Sequence, residues 1–263
     1  MRMRIGCIAL LMLAGCATTP GENRLAERDP LEGFNRGVWG FNRTLDTVAI
    51  KPVTVAYRTV TPRPARRGLS RIFANLSEPF SMINNILQGN PDRAVRNLER
   101  FVINSTIGVG GLADHATGFG VAPAYEDFGQ TLGSWGANGG PYLVLPLLGP
   151  STLRDGVGSG VAQFADPYRI GVRNSGLTNT QQLGVTAGEI INIRSELIES
   201  GADAFLDTSL DPYAAARSAY LQQRHADIRN EDDAYGDGDE EIAPVDDAQP
   251  EEVAPVEDSD AMQ

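Results

Sequence analysis

Through the middle of this chain, apolar residues recur at intervals of three and four. Proline or glycine cuts each run before it is long enough to cross a bilayer. The pattern calls for short amphipathic helices joined by sharp breaks, a mainly α fold. Asp29 and Pro30 suit the start of the first helix, as cap and first-turn residue. Leu31, Phe34, Val38, Phe41 and Leu45 then share one face, Trp39 widens the stripe, and Pro52 is expected to end the element. A second helix is expected from near Pro64, carrying Leu69, Ile72, Phe73 and Leu76, with a break or kink at Glu78-Pro79. It resumes with Phe80, Met82, Ile83, Ile86 and Leu87 and stops at Gly89. Asn90-Pro91 opens the next, with Ala94, Val95, Leu98, Phe101 and Val102 on one side and Arg93, Arg96 and Arg100 off it. Helical pattern returns over residues 152–165 and 179–205. Asp211-Pro212 starts a last helix in which Tyr213, Ala216 and Tyr220 share a face.

Two stretches break this pattern. Gly108, Gly110, Gly111, Gly118 and Gly120 follow one another closely. Residues 141–150 are apolar, bounded by Pro141 and Pro150, and too short to span a membrane. They read either as a buried strand or loop or as an interfacial, re-entrant segment. Gly156, Gly158 and Gly160 look superficially like a phosphate-binding turn but lack a preceding strand in a βαβ context. Small residues that let helices approach closely explain them better.

The ends have their own character. Met-Arg-Met-Arg, an apolar stretch over residues 5–13 and then Leu13-Ala14-Gly15-Cys16 form a lipoprotein signal, cut before a lipidated Cys16. Ala17, in place of Asp, favours the outer membrane over the inner one. Residues 1–15 are thus the signal peptide, 16–28 a linker, 29–225 the folded body and 226–263 an acidic tail expected to be disordered. The formal charge of −12 comes from that tail, since the body carries equal numbers of acids and bases. With Cys7 lost in the signal, no internal disulfide, cysteine metal site or thiol nucleophile is expected.

Enzyme signatures are sparse, and neither catalytic residue, cofactor nor metal is assigned. His115 and His225 lie far apart and form no His-x-x-x-His pair. No serine sits in a Gly-x-Ser-x-Gly elbow, and the one lysine, Lys51, follows no glycine loop. Between residues 51 and 100, nine basic residues face three acidic ones. Two readings of that excess stay open: a solvated helix face, or contact with phospholipid head groups through Arg93, Arg96 and Arg100. Nucleic acid is not a partner that a secreted lipoprotein meets.

The ordered motifs resemble one family. They run from Asp29-Pro30-Leu31-Glu32-Gly33-Phe34-Asn35-Arg36 through Phe41-Asn42, Asn75-Leu76-x-Glu78-Pro79 and Leu87-Gln88-Gly89 to Gly108-x-Gly110-Gly111-Leu112-x-Asp114. They continue through Phe128-Gly129-x-Thr131-Leu132-Gly133, Gly140-Pro141-Tyr142, Leu145-Pro146 and Leu153-Arg154-Asp155 to Asp211-Pro212-Tyr213 and Arg224-His225. Residues 29–227 thereby resemble the MlaA, or VacJ, lipoproteins. The resemblance implies a flat ring of amphipathic helices with a central pore, embedded in the inner leaflet of the outer membrane on its periplasmic side. It implies removal of mislocalised phospholipids from the outer leaflet, without catalysis. The implied partners are phospholipids, a trimeric outer-membrane porin and a periplasmic phospholipid-binding protein. Lipid-path or gate candidates are Asn35, Phe41, Asn42, Gly139, Gly140, Pro141, Tyr142, Pro146 and Gly149. The alternatives are a structural envelope lipoprotein and a phospholipase-like enzyme using His115 or Asp155.

Overall fold

The computed structural model describes residues 24–231. The signal peptide, Cys16 and most of the acidic tail lie outside the described residues. Helix α1 (Arg24–Arg28) leads through a turn into α2 (Glu32–Leu45), and a π-helical turn (Asp46–Ile50) joins α2 without a break to α3 (Lys51–Val60). Pro52 therefore does not end the element. In a regular α-helix its ring would crowd the carbonyl four residues back. The wide turn ahead of it, where the Lys51 N–H donates to the Asp46 carbonyl, absorbs that misfit. Helix α4 (Arg63–Gln88) carries Pro79 inside one element, so of the break or kink expected there the break does not occur, and Gly89 closes the helix in the left-handed region, φ 80°.

Helix α5 (Pro91–Thr106) is followed by the glycine-rich segment, which holds a 3₁₀ turn (Thr117–Phe119). Helix α6 (Phe128–Ser134) precedes an antiparallel hairpin, β1 (Tyr142–Leu145) and β2 (Gly149–Thr152). Then come α7 (Leu153–Ala165), α8 (Pro167–Asn174), α9 (Asn179–Glu199), α10 (Ala202–Thr208) and α11 (Pro212–Ile228). The pattern over residues 179–205 is two helices because Gly201, φ 80°, turns the chain. Helix α11 runs past residue 225 because Ile228 is buried.

The helices turn their faces the unusual way round. On α5, Arg93, Asn97, Arg100 and Asn104 are buried at helical spacing, while Val95, Leu98 and Val102 are about half exposed. On α2, Asn35 is fully buried, whereas Phe34 and Phe41 are 61% and 55% exposed. Helix α4 buries Asn75, Glu78, Ser81, Asn84 and Asn85 and exposes Ile83, Ile86 and Leu87. Helix α9 buries Glu189, Asn192 and Ser195 and exposes Ile190, Ile193 and Leu197. Among the described residues, buried polar and charged side chains outnumber buried apolar ones by more than two to one. An apolar surface of this extent marks a contact with a membrane or another protein. No helix among the described residues is long and apolar enough to cross a membrane.

Neighbouring elements form a closed circuit. Helix α2 packs on β1, the hairpin on α7, α7 on α6, α6 on α4, α4 on α9 and α9 on α3, which returns through the π turn to α2. The α6–α7 contact is the tightest joint. A Cβ on Gly158 would meet the Gly129 backbone nitrogen at 2.6 Å, so Gly158 serves close helix approach, whereas a Cβ on Gly156 would meet hairpin side chains at an ordinary 3.7 Å. Gly160 faces open space. Gly158→Ala should therefore destabilise the protein by roughly 1–3 kcal/mol. Gly160→Ala should be neutral or stabilising by about 0.5–1 kcal/mol. Thermal unfolding of both variants in detergent checks the contrast.

Candidate functional site

The hairpin is the irregular element that the rest of the fold grips most directly. Asn35 and Asn42 lie two turns apart on one face of α2, and each pairs with the free edge of the hairpin as a neighbouring strand would. Asn35 Nδ2 donates to the Tyr142 carbonyl and its Oδ1 accepts from the Val144 N–H, both at 2.9 Å. Asn42 Nδ2 donates to the Leu145 carbonyl and its Oδ1 accepts from the Leu147 N–H, again at 2.9 Å. A side-chain amide carries the same donor–acceptor pair as a peptide group, so asparagine suits both positions. At the base, Tyr142 and Val144 are buried in a small apolar cluster with Ala26, Tyr213 and Leu221. Tyr142 packs edge-on against Tyr213, with ring centroids 6.1 Å apart. The tip is different: Leu147 and Leu148 are largely exposed, and Leu147 takes a left-handed φ of 67°.

Two buried carboxylates tie the base to α11. Asp29 does not cap the first helix, which has no side-chain cap. Instead it is buried with φ 46° and accepts from Asn35 Nδ2 at 2.9 Å, from Arg217 Nη1 at 2.9 Å and from the Tyr213 hydroxyl. The turn at Pro30 and Leu31 brings it to this position. Asp155, in the first turn of α7, accepts from Thr152 Oγ1 at 2.7 Å and from the Tyr220 hydroxyl at 2.6 Å. Its other oxygen accepts from Arg154 Nε and Arg224 Nη2, both at 2.9 Å. Burial pushes the Asp155 carboxyl up, but Arg224, Arg154 and these hydrogen bonds overcome that and hold it at about 2. Arg224 also grips Asp127, the cap of α6, through two 2.7 Å hydrogen bonds.

The glycine-rich segment is held by the polar faces of α4 and α5. Asn97 Nδ2 donates to the Ala124 carbonyl at 3.0 Å and to Glu78 at 2.7 Å. Arg100 donates to the Val121 carbonyl at 2.7 Å, to Glu78 at 2.9 Å and to Asp114 at 3.0 Å. Asn104 Oδ1 accepts the backbone N–H groups of His115 and Ala116 at 2.9 and 3.0 Å. Arg93 pairs with Glu126 at 3.2 Å. Burial pushes the Glu78 carboxyl up despite Asn97 and Arg100. At Gly111, φ 90°, a Cβ would stand 2.7 Å from that of Asn75, so the segment lies directly on α4.

The residues singled out from the sequence therefore divide. Asn35, Asn42 and Tyr142 meet at the hairpin. Gly139 and Pro141 staple its base, their carbonyls accepting from the backbone N–H groups of Arg154 and Leu153 at 3.1 Å. Gly140 and Gly149 have positive φ at its two ends, and Pro146 opens the exposed tip. Phe41 is on the outer face, away from Asn42's partners. Arg93 and Arg100 are turned inward onto carboxylates, so neither offers head groups a free guanidinium, and Arg96 is half-buried. Asp29, Glu78, Glu126 and Arg224 were not singled out for these roles. The polar spacing of Arg93, Asn97, Arg100 and Asn104 was the signal that could have found the buried face. No cluster of His, Cys, Asp or Glu among the described residues is arranged to hold a metal.

A family profile described as MlaA lipoprotein matches residues 27–227, nearly the whole helical body. The chain belongs to the MlaA lipoprotein family. It is similar to the intermembrane phospholipid transport system lipoproteins MlaA of Shigella flexneri and Escherichia coli K12. Each is 40% identical over 239 residues, covering 88% of this chain and 90% of the relative. The Haemophilus influenzae protein of the same name is 33% identical, covering 82% of this chain and 85% of its own. A solved chain from work on the structural basis for maintenance of bacterial outer membrane lipid asymmetry superposes with a TM-score of 0.64. It is 39% identical and matched over 98% of its length and 76% of this chain.

Two outcomes test the site. Asn35→Ala strands a buried carbonyl and a buried N–H and should lower stability by about 2–4 kcal/mol in denaturant unfolding. Asn42→Ala should cost less and instead speed hydrogen exchange at the Leu147 amide. Asp155 has a lowered pKa, so its contribution is complete above the ordinary carboxylate range and disappears as pH falls through about 2. Asp155→Asn should flatten stability across that acid window, as read by unfolding midpoints measured from pH 5 to about pH 2.

Proposed function

We propose that this chain is an outer-membrane lipoprotein that takes mislocalised phospholipid from the outer leaflet and passes it to a periplasmic phospholipid-binding protein. In this reading it keeps the outer membrane asymmetric and is anchored through Cys16. The observation that carries the reading is the inversion of the helices: apolar faces out, polar faces in, on elements too short or too polar to span a bilayer. Such a body is stable within a single leaflet. Its outer face meets acyl chains at about 25 cal/mol per Å² of apolar surface buried, and its irregular backbone is satisfied internally. The closed circuit of elements supports a ring, and the polar interior supports a path for head groups through it. The hairpin, clamped at its base by Asn35 and at its tip by Asn42, is the element suited to gate that path. A trimeric porin beside the ring and a soluble carrier beneath it complete the route. The names of the relatives, with identity over nearly the whole chain, support the same function.

A non-catalytic role fits the buried groups. Asp155, weighed above as a hydrolytic residue, has both oxygens occupied by Arg154, Arg224, Thr152 and Tyr220. His115 stands exposed on the glycine-rich segment, with its backbone bound to Asn104.

Deleting the gene should raise phospholipid in the outer leaflet, measured by surface-accessible acyltransferase or phospholipase products, and the full chain should restore it. A purely structural tether would leave the surface unchanged on deletion. Cys16→Ala protein, exported by a cleavable signal, should still partition with membrane or detergent because the apolar faces anchor it. A freely soluble, monodisperse product would count against the leaflet-embedded body.

A further inference from the structure

Away from the hairpin, the start of α4 and the end of α9 enclose an open pocket of about 410 Å³, within the roughly 300–1,000 Å³ range of small-molecule sites. Its lining is basic at one side. Arg66 and Arg67 come from one turn of α4 and Ser70 and Arg71 from the next, facing Glu196 and Glu199 of α9. Arg66 is only 7% exposed. Its Nη groups are committed to the Arg58 and Thr61 carbonyls and to Glu199, but its Nε–H is buried with no hydrogen-bond partner. An unsatisfied guanidinium N–H is costly, and a ligand acceptor at this position would relieve it. Glu199 is drawn to Arg66 at 3.4 Å and only loosely to Arg67 at 4.0 Å, and Glu196 accepts from Asn192. Arg71 has no ion-pair partner among the described residues. Donors thus converge from two free or loosely held guanidiniums and one buried N–H, while the Ser70 hydroxyl is committed to the Arg66 carbonyl at 3.2 Å and to Asn192 at 3.3 Å.

We propose that this pocket binds a phosphate ester, with Arg67 and Arg71 as the fork that captures the anion and Arg66 as its buried floor. A guanidinium offers paired donors that match two oxygens of a phosphate, and an anion of several oxygens uses donors from several directions at once. The phosphate can belong to a lipid head group or to a soluble ester. The lipid source rests on the carrier function proposed above; the anion site does not. The carboxylates of Glu196 and Glu199 set an upper limit on anion affinity, so removing one should tighten binding.

The test is calorimetric titration of the full chain in dodecyl maltoside with dihexanoylphosphatidylglycerol and, separately, with glycerol phosphate, using acetate as control. Both phosphate probes should bind saturably and more weakly as salt rises. Arg67→Gln with Arg71→Gln should weaken binding about tenfold with an unchanged circular dichroism spectrum, and Glu196→Gln should strengthen it. Tighter binding of the lipid than of glycerol phosphate assigns the pocket to head groups, and equal binding assigns it to soluble esters. The proposal is overturned if neither probe saturates, if acetate binds as well, or if the affinity of the wild-type chain ignores salt. It is also overturned if the folded double variant binds as the parent does. If deletion leaves surface phospholipid unchanged while glycerol phosphate still binds through Arg67 and Arg71, the carrier function fails and the pocket stands.

Discussion

Irregular backbone must find hydrogen-bond partners wherever water cannot supply them, and this protein meets that constraint with side-chain amides and guanidiniums. Asn35 and Asn42 stand in for a third strand beside the hairpin. Asn97, Arg100 and Asn104 serve the same purpose for the glycine-rich segment. Without them, two long non-helical stretches would leave carbonyls and N–H groups unpaired inside the body, each costing about 1–3 kcal/mol. Helices α2, α4 and α5 point their polar faces inward because those faces hold the loops, and the polar face of α9 meets Arg58, Ser70 and Arg169 of neighbouring helices.

The inversion follows from this arrangement. Once the interior is given to hydrogen bonds, the apolar stripes of α2, α4, α5 and α9 have nowhere to pack but outward. In water such a surface is a liability. In the function proposed above, that surface anchors the protein in the acyl region of one leaflet and the interior serves as a polar route for head groups. The same choice explains the modest apolar core, which gathers at the hairpin base around Tyr142, Val144 and Tyr213. Where hydrophobic packing is scarce, ionic hubs take over the joints. Asp29 draws α2 and α11 together, and Arg224 bridges the cap of α6 and the first turn of α7 through Asp127 and Asp155. Removing one partner of such a pair leaves a buried charge unpaired, so the loss costs more than the pair's own net contribution.

Much of the fold was legible in the residues. The start of α5 with Pro91 in its first turn, the stop of α4 at Gly89 and the capping of α11 by Asp211 follow from local turn and cap chemistry, although Asn90 makes no side-chain cap. Proline disrupts an isolated helix, but here a π turn carries the chain through Pro52, and the packing of α4 along α5 keeps the helix unbroken at Pro79. Asn35 and Asn42 stood out as residues of interest, but their partners lie more than a hundred positions away. Arg93 and Arg100 were read as surface cations because the carboxylates that bury them, Glu126, Glu78 and Asp114, sit on other segments. The pocket between α4 and α9 was invisible for the same reason: its two walls are far apart along the chain.

Periodicity by itself determined that this protein is built from short amphipathic helices and which residues share a face, because a helix brings together positions three and four apart whatever surrounds it. The ordered motifs likewise carried its family. Only the tertiary structure decided which face is the inside. A stripe has two sides and no local preference between them; the choice depends on whether the neighbours offer apolar surface or unpaired backbone. Here the neighbours are a hairpin and a glycine-rich segment full of peptide groups, so asparagine, arginine and glutamate went in and the apolar residues went out.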